Sequence, residues 1–474
     1  MKIVKNYTYK LMLFVTTAFL VVTTSCQQFV DDVKPTDILD ASVALQSLND
    51  YETAVLGSYS SILGYYGGTI QSIGGFPADE VKIGSGNNGA GQFLYNHGYT
   101  ATTGAFGTMW NVAYSAINRA NTVLAGIDTY ELQAADDETA AKRDQLKAEA
   151  LALRALAHFD LVRNFGQPDQ TSAGAGNPGV PVVTTVLGPA DKPSRNTIGE
   201  VYAQVISDLT AAKGLIGSPT DITRFTPAGI DALLARVYLY SGDYNNAITS
   251  ANAAIGAVAL ADQAGYTAAW ENGGSGGSAG MIFRLGVPAG GVAIGNTWYL
   301  PANENSRLAP SNDLVSSFPA NDVRSGLFFQ NNATAGEVVV FKYAGTTTSP
   351  SLAQIPVLRT AEMYLIRAEA YFRTSQEANA LADYNALRTA RITGYTDETL
   401  SGAALLNGII AERFRELCFE GHRWYDLRRN GLAVTRNDCN GTNCSLAVGD
   451  FRFTFPIPLA EIQANPNIAQ NPNW

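Results

Sequence analysis

Residues 358–372 read LRTAEMYLIRAEAYF, residues 377–392 read EANALADYNALRTARI, and residues 405–431 read LLNGIIAERFRELCFEGHRWYDLRRNG. In the first segment, Ala361, Leu365 and Ala368 recur at spacings of three and four, which is one face of an α-helix. In the third, Leu406 and Ile410 continue the same kind of apolar line towards the end of the segment. Because only short breaks separate these segments, they predict consecutive helices that pack antiparallel.

The same helix-pair pattern occurs elsewhere in the chain. The clearest unit, 226–256, begins TPAGIDALLARVYLYSGDYNNA and places small and aromatic residues where two helices of a tetratricopeptide-type repeat cross closely. Looser pairs are expected at 105–164 and 402–430. We therefore predict a mostly α fold: a tetratricopeptide-like scaffold of about four stacked helix pairs with a few short strands.

Two stretches lack clear periodicity and are rich in Gly, Asn and Tyr. They cover 64–104 and 257–356, and we expect both to be long irregular loop insertions in one domain that spans 45–474. Loops of this length inside a compact domain are usually functional. The second insertion also contains short strand-like runs.

The N-terminus has the features of a lipoprotein signal. Lys2, Lys5 and Lys10 precede an apolar run that is too short to serve as a membrane anchor, and a small residue then comes directly before Cys26. We predict that residues 1–25 are removed and that Cys26 is lipidated. Residues 26–44 then form a polar tether, and the mature protein is a globule held by lipid.

The remaining cysteines predict one local disulfide. Cys439 and Cys444 flank a short Asn-Gly-Thr-Asn loop, and a chain exported from the cytosol favours pairing between them. Cys418 falls on a predicted helix and is expected to be a buried thiol.

Metal, catalytic and nucleic-acid sites have little support. The only three histidines lie far apart and lack Cys or Glu partners at ligand spacing, so no metal site, triad or other catalytic set is expected. Asp79 and Glu80 are adjacent and should face opposite sides of an extended segment, which suits a glycosidase poorly. The formal net charge of −10 argues against nucleic acid as a partner.

Both insertions contain side chains suited to sugar binding. Flat aromatic rings stack on pyranose faces, while amides, carboxylates and Arg hydrogen-bond to hydroxyls. The candidate ligand-binding residues are Phe76, Asp79, Lys82 and Tyr95 in the first insertion and Trp270, Trp298, Tyr299, Asn303 and Arg307 in the second. The charge-rich segment around Glu416 and Glu420 is instead expected to form ion pairs between adjacent helices.

Several motifs together resemble those of the SusD/RagB family of outer-membrane lipoproteins in Bacteroidetes. They are the Ser25-Cys26 pair, GNPGVPVVTT at 176–185, AERFRELCFEGHRWYDLRRNG at 411–431 and PIPLAEIQANPNIAQNPNW at 456–474. The resemblance implies a lipid-anchored surface protein of the outer membrane, without enzymatic activity or cofactor. Such a protein binds an oligosaccharide or polysaccharide and passes it to a SusC-like TonB-dependent transporter.

A peptide- or protein-binding surface lipoprotein is the alternative function, because tetratricopeptide grooves commonly hold peptides. The position of the exposed aromatic rings distinguishes the two. Rings on the loops favour a sugar, whereas rings that line the concave helical groove favour a peptide.

Overall fold

The computed structural model describes residues 44–128, 137–167, 176–300, 305–332 and 336–474. Tyr51–Trp474 forms one compact unit. Residues 44–50 belong to a separate unit, in which the carboxylate of Asp50 accepts hydrogen bonds from the backbone N–H and the hydroxyl of Ser47, both at 2.8 Å. The predictions for 1–25, for Cys26 and for nearly all of the tether lie outside the described residues.

Helices dominate the described ranges, where none is long and apolar enough to cross a membrane. In chain order they are α1 (Leu48–Tyr66), α2 (Thr69–Gly75), α3 (Gln92–Tyr95), α4 (Gly104–Ile127), α5 (Asp137–Phe165), α6 (Ile198–Leu215), α7 (Pro227–Ser241), α8 (Tyr244–Ala257), α9 (Gln263–Gly274), α10 (Asn312–Ser316), α11 (Val323–Phe328), α12 (Thr360–Arg373), α13 (Glu377–Thr389), α14 (Gly402–Glu416), α15 (Arg423–Arg429) and α16 (Leu459–Ala464).

The strands are short and pair only in twos within these ranges. They are β1 (Val81–Ile83), β2 (Met281–Leu285), β3 (Tyr299–Leu300), β4 (Asn305–Ser306), β5 (Leu308–Pro310), β6 (Phe329–Asn332), β7 (Glu337–Val340), β8 (Ile355–Arg359), β9 (Val434–Thr435) and β10 (Ser445–Leu446). All pairs are antiparallel: β1 with β5, β2 with β8, β3 with β4, β6 with β7 and β9 with β10. The β2–β8 pair joins the start of the second insertion to its end.

Local sequence signals explain the central helix pair, α7 and α8. Thr226 caps α7 by accepting a hydrogen bond from the backbone N–H of Gly229, and Pro227 occupies the first turn, where no N–H is needed. Gly242 ends the helix at φ +80°, which favours glycine, and Asp243 then caps α8. The chain therefore turns back sharply and forms the antiparallel pair that its repeat pattern predicts.

The helix pairs stack as neighbours. α4 packs on α5, α5 on α6, α7 on α8, and α12 on α13, while α8 also packs on α12 and so joins two successive pairs. The mostly helical, repeat-based fold with few short strands is confirmed.

The apolar line predicted for α14 is partly wrong. Leu405 and Ile409 enter the core against Ala368, Ala380 and Tyr384, whereas Leu406 is only half buried. A shift of one position rotates a helical residue by about 100°, so the true core stripe lies beside the predicted one. Ile410 is buried as expected.

The first insertion is more ordered than its composition suggests. It contains α2, which packs against α15 and α4. The contact is close because Gly74 lies against the backbone of Gly421, where an added Cβ would sit 2.4 Å from the carbonyl oxygen. The glycines that obscure helical periodicity in the sequence are thus what lets this helix approach its neighbour.

Candidate functional site

The two insertions and a C-terminal loop meet at one surface, which we call the loop face: residues 81–97, 307–313 and 436–445. β1 of the first insertion pairs with β5 of the second, with Lys82 opposite Ala309. Lys82 Nζ donates to Asn312 Oδ1 at 2.9 Å and lies 3.8 Å from Asp438 Oδ2. Lys82 therefore joins all three segments, and its ammonium is already engaged by protein groups.

The disulfide loop fixes the first insertion in place. Cys439 and Cys444 are bonded, with Cα atoms 5.4 Å apart, which confirms the predicted pairing. Between them, Asn440 accepts a hydrogen bond from the backbone N–H of Ile83 at 3.0 Å and donates to its carbonyl at 2.7 Å. This side chain replaces a strand partner at the edge of β1.

Arg436 extends the same connection into the interior. Its guanidinium donates to the carbonyls of Phe76, Ala78 and Tyr95 and lies 4.0 Å from the centre of the Tyr95 ring. Burial lowers the pKa of Arg436 to about 10. Its contacts are carbonyls and a ring face rather than a carboxylate, so Arg436 serves as a structural clamp on the loop that holds Phe76 and Tyr95.

The candidate aromatic residues are buried, and the expectation that they offer exposed faces is wrong. Trp298 lies fully buried between Phe76 and Phe419, each with its ring centre 5.1 Å away. Trp270 packs against Phe328 with Lys342 Nζ 4.7 Å from its ring centre. The insertions form a core of their own, in which the burial of large aromatic side chains contributes most to stability.

Tyr95 and Tyr299 are likewise buried within the insertions. Tyr95 lies beneath Arg436, and the Tyr299 hydroxyl accepts a hydrogen bond from Asn332 at 2.8 Å. Their polar ends are therefore satisfied by the protein. Neither ring can stack on a sugar in this conformation.

The charged candidates also have protein partners. Both carboxylate oxygens of Asp79 accept from Arg423 at 2.6 Å, which ties the first insertion to the start of α15. Arg307 donates to the carbonyl of Asn296 at 2.8 Å. Asn303 lies outside the described residues. The nine candidates therefore do not come together as one open site.

Glu80, the neighbour of Asp79, is a fully buried carboxyl. One oxygen accepts a hydrogen bond from the backbone N–H of Phe419 at 3.1 Å. Burial raises the pKa of Glu80 to about 8, opposed by that hydrogen bond. The segment is a turn rather than the expected extended stretch, and Asp79 and Glu80 have different partners, Arg423 and the backbone N–H of Phe419.

Phe93 is the aromatic side chain of the loop face that does reach solvent. It is 72% exposed on α3, while its neighbours Leu94 and Tyr95 point inward. Gly91, at φ +72°, begins this turn under the ring of Phe76, where a Cβ would clash at 2.6 Å. The sequence offered a weak signal for this arrangement in the glycines at 89 and 91. Polar residues accompany Phe93, with exposed Asn88 and half-buried Gln92 nearby in sequence.

A buried ionic network joins the end of α14 to β8, to the segment after α13 and to the second insertion. Glu416 accepts from Arg359 at 2.6 Å and from Arg391 and Arg324 at 3.0 Å, and Glu420 accepts from Arg359 and Lys342 at 2.6 Å. Burial raises the pKa of Glu416, but Arg391, Arg359 and Arg324 outweigh burial and hold it well below its ordinary value. The charge-rich segment is therefore structural, as expected, although its partners come from β8, from the segment after α13 and from the second insertion rather than only from adjacent helices.

The free cysteine and the possible metal ligands are the remaining features to consider. Cys418 is a buried free thiol, as predicted. Within the described part of the chain, no three or more His, Cys, Asp or Glu side chains are grouped so that they could hold a metal ion.

The fold and site define a class of protein: a tetratricopeptide-like helical scaffold that carries a loop-built surface. Two family models match the chain, one described as the SusD family over residues 321–474 and one as "Starch-binding associating with outer membrane" over residues 78–239. The chain belongs to the SusD/RagB family.

Two individual relatives match this chain over most of their length, and a third matches over a shorter segment. SusD-like protein P2 of Formosa agariphila is 26% identical over 500 residues, which covers 92% of this chain and 94% of the relative. A SusD superfamily protein of Bacteroides vulgatus, known from its crystal structure, has a TM-score of 0.81 at 27% identity and covers 91% of this chain and 100% of its own. The starch-binding protein SusD of Bacteroides thetaiotaomicron is 34% identical over 129 residues, 25% of this chain and 21% of that protein.

Proposed function

We propose that this protein binds an oligosaccharide or polysaccharide at the surface of the outer membrane and delivers it to a partner TonB-dependent transporter of the SusC type. The observation that carries the proposal is the match of residues 78–239 to the family model described as starch-binding and associated with the outer membrane. That range contains β1 and α3 of the loop face. The lipid anchor at Cys26 and exposure at the cell surface are part of the same proposal.

The loop face supplies the ligand contacts in this proposal. Phe93 projects an aromatic ring into solvent, and the amides of Asn88 and Gln92 lie close to it along the chain. An exposed ring beside planar amides suits a pyranose, because the ring covers C–H groups while the amides pair with hydroxyls. The proposed site binds and does not cleave. Its own acids, Asp313 and Asp438, accept hydrogen bonds from Asn437 and from the backbone N–H of Asn312, and the neighbouring Asp79 and Glu80 serve Arg423 and the backbone of Phe419.

A glycan panel tests the proposal. Calorimetry of the purified protein against neutral and acidic polysaccharides is expected to find at least one that binds. Phe93→Ala should then weaken binding about tenfold, which corresponds to about 1.4 kcal/mol. Leu56→Ala, which removes another exposed apolar side chain, on α1, is the matched control and should leave affinity unchanged.

Two outcomes would contradict this account. If no polysaccharide in the panel binds, the glycan assignment fails. If a glycan binds equally well to wild type and Phe93→Ala, the placement of its site on the loop face fails. Delivery is tested separately: the protein should co-purify with a TonB-dependent transporter from detergent-solubilised outer membranes, and separation of the two under mild detergent would reject that part.

A further inference from the structure

A cleft of about 620 Å³ opens on the helical scaffold, away from the loop-face segments. Its walls come from the start of α6, the ends of α7 and α12, three residues of α15 (Tyr425, Arg428 and Arg429), and residues 448–451 with 453–454. This volume falls within the range of about 300–1,000 Å³ that is usual for ligand pockets. The proposed glycan site does not account for it.

The cleft has surplus positive charge. Arg373, Arg428 and Arg429 line it, together with two acids, Glu369 and Asp450. Glu369 accepts from Arg429, and Asp450 pairs at 2.8 Å with Arg452, which is not part of the wall. The acids of the wall are therefore already engaged by arginines, in a chain whose formal net charge is −10.

Arg428 is the cation without an acidic partner. Its guanidinium donates to two carbonyls, of Phe453 at 3.1 Å and of Arg163 at 2.6 Å, and no carboxylate in the described ranges forms an ion pair with it. Arg373 stands at the same cleft with its side chain 30% exposed. It lies 3.6 Å from Glu369 Oε1, a carboxylate that also pairs with Arg429, and it donates to Asn430 at 2.6 Å. Glu369 thus serves two arginines while Arg428 has no acid, so the cleft keeps positive charge for a carboxylate that enters from solvent.

The rest of the wall is aromatic and aliphatic. Tyr202 and Tyr244 are half buried, Phe451 is 40% exposed, and Leu239 and Val448 lie among them. The wall contains no Asn or Gln side chain, so it lacks the planar amides that recognise sugar hydroxyls. Rings, aliphatic groups and cations instead suit an apolar residue that bears a carboxylate.

We propose that this cleft binds the carboxyl-terminal end of a peptide or protein chain. Arg428 and Arg373 receive the terminal carboxylate, and Tyr202 and Phe451 pack against the last side chains. The proposal is independent of the glycan site, because the two sites share no residue.

Affinity selection with defined peptide pools tests this inference. The probes are a random pentapeptide pool with free carboxyl termini and the same pool with amidated termini, each passed over the immobilised protein. Retention of the free acids should exceed that of the amides by about tenfold, since only the free acids can form charge-assisted hydrogen bonds to both arginines. Equal retention of the two pools would overturn the proposal.

Variants locate the site. Arg373→Gln and Arg428→Gln should each reduce retention of the free acids at least fivefold, and Arg143→Gln is the matched control, an ion-paired arginine whose side chain is 32% exposed on α5. Thermal unfolding identifies any variant that fails to fold, and Arg373→Gln alone decides if Arg428→Gln is unstable. Unchanged retention by Arg373→Gln, or displacement of the peptides by a uronic-acid oligosaccharide, would also contradict the assignment. Glycan binding at the loop face should be the same in both variants.

Discussion

Glu416 shows, at the scale of the residue, how one carboxylate can connect several parts of a molecule. It receives hydrogen bonds from Arg359 at the end of β8, from Arg391 after α13 and from Arg324 in the second insertion. All four side chains are buried. Removal of the carboxylate would leave three buried arginines without the negative charge that offsets their loss of hydration.

Glu416→Gln is therefore expected to lower the free energy of unfolding by about 3–5 kcal/mol. Urea denaturation monitored by circular dichroism measures this change. Glu271→Gln is the control, because Glu271 is exposed, and it should stay within about 0.5 kcal/mol of wild type. A loss for Glu416→Gln that is no larger than that of the control would refute a stabilising role for the network.

Glu80 predicts a pH dependence. Its pKa is raised from 4.5 to about 8, so the folded state holds the proton more tightly than the unfolded state does. The resulting stability is fully present below about pH 4.5 and is lost as the pH rises towards 8, by at most about 1.4 kcal/mol per unit. In Glu80→Gln the amide cannot ionise, so its stability relative to wild type should increase across this interval.

Urea denaturation at a series of pH values between 4 and 9 tests that expectation. Glu412 has a pKa shift in the opposite direction. Burial raises its pKa, but Arg324, Arg415 and Arg388 bring it down to about 2, so its contribution is present above about pH 4.5 and is lost only in strong acid. Parallel pH profiles for wild type and Glu80→Gln would mean that Glu80 is charged in the folded protein.

The exposure of single rings could not be predicted from the sequence. Trp298 and Phe93 both lie in insertions without periodicity, yet one is fully buried and the other is 72% exposed. Sequence spacing predicts which way a side chain points only where the backbone is a regular helix or strand. In the insertions, glycines and strands of two residues interrupt that regularity. The disulfide was predictable because its loop is local in sequence.

At the scale of the element, the contact between α2 and residue 421 sets the position of the first insertion. The helix approaches so closely that Gly74 has no room for a side chain. Gly107, within α4, has no atom within 4 Å of the place where a Cβ would stand. The two glycines are therefore a matched pair of helical positions with opposite surroundings.

Gly74→Ala should destabilise the protein by about 1–3 kcal/mol, because the backbone must shift to admit the methyl group. Gly107→Ala should instead stabilise it by roughly 0.4–1 kcal/mol, since alanine favours the helix and restricts the unfolded chain. Thermal and urea unfolding of both variants measure the difference. Stabilisation by Gly74→Ala would show that α2 is packed more loosely than described.

The disulfide loop is a second element that holds the insertion. Cys439→Ser with Cys444→Ser should lower stability by about 2 kcal/mol, as expected for a short closed loop. Because Asn440 bonds to both backbone groups of Ile83, amide exchange at Ile83 should accelerate as well. If exchange at Ile83 does not change while stability falls, the loop does not act through β1.

Helix boundaries were predicted well, because paired helices repeat the same small and apolar residues at fixed spacing. α7, α8, α12 and α13 follow that pattern closely. The error at α14, where Leu405 rather than Leu406 enters the core, arises because charged residues also occupy its buried face. Ion pairs stabilise those buried charges, and a search for apolar spacing in the sequence does not detect them.

At the scale of the whole molecule, the compact unit Tyr51–Trp474 offers a loop face and, apart from it, a cleft in the helical scaffold. The sequence alone predicted the scaffold and the family, but it assigned ligand contact to rings that form the core of the insertions. Phe93 and its neighbouring amides still support the proposal that the loop face binds a glycan. The cleft combines aromatic rings with Arg428, which has no acidic partner among the described residues, and we propose a different ligand for it.

Hydrogen exchange with and without a bound glycan tests the central claim most directly. With the best ligand from the polysaccharide panel at saturation, we predict that protection increases in residues 81–97, 307–313 and 436–445, with no change in 198–244 or 423–432. Protection confined to the cleft segments, with none on the loop face, would contradict the account.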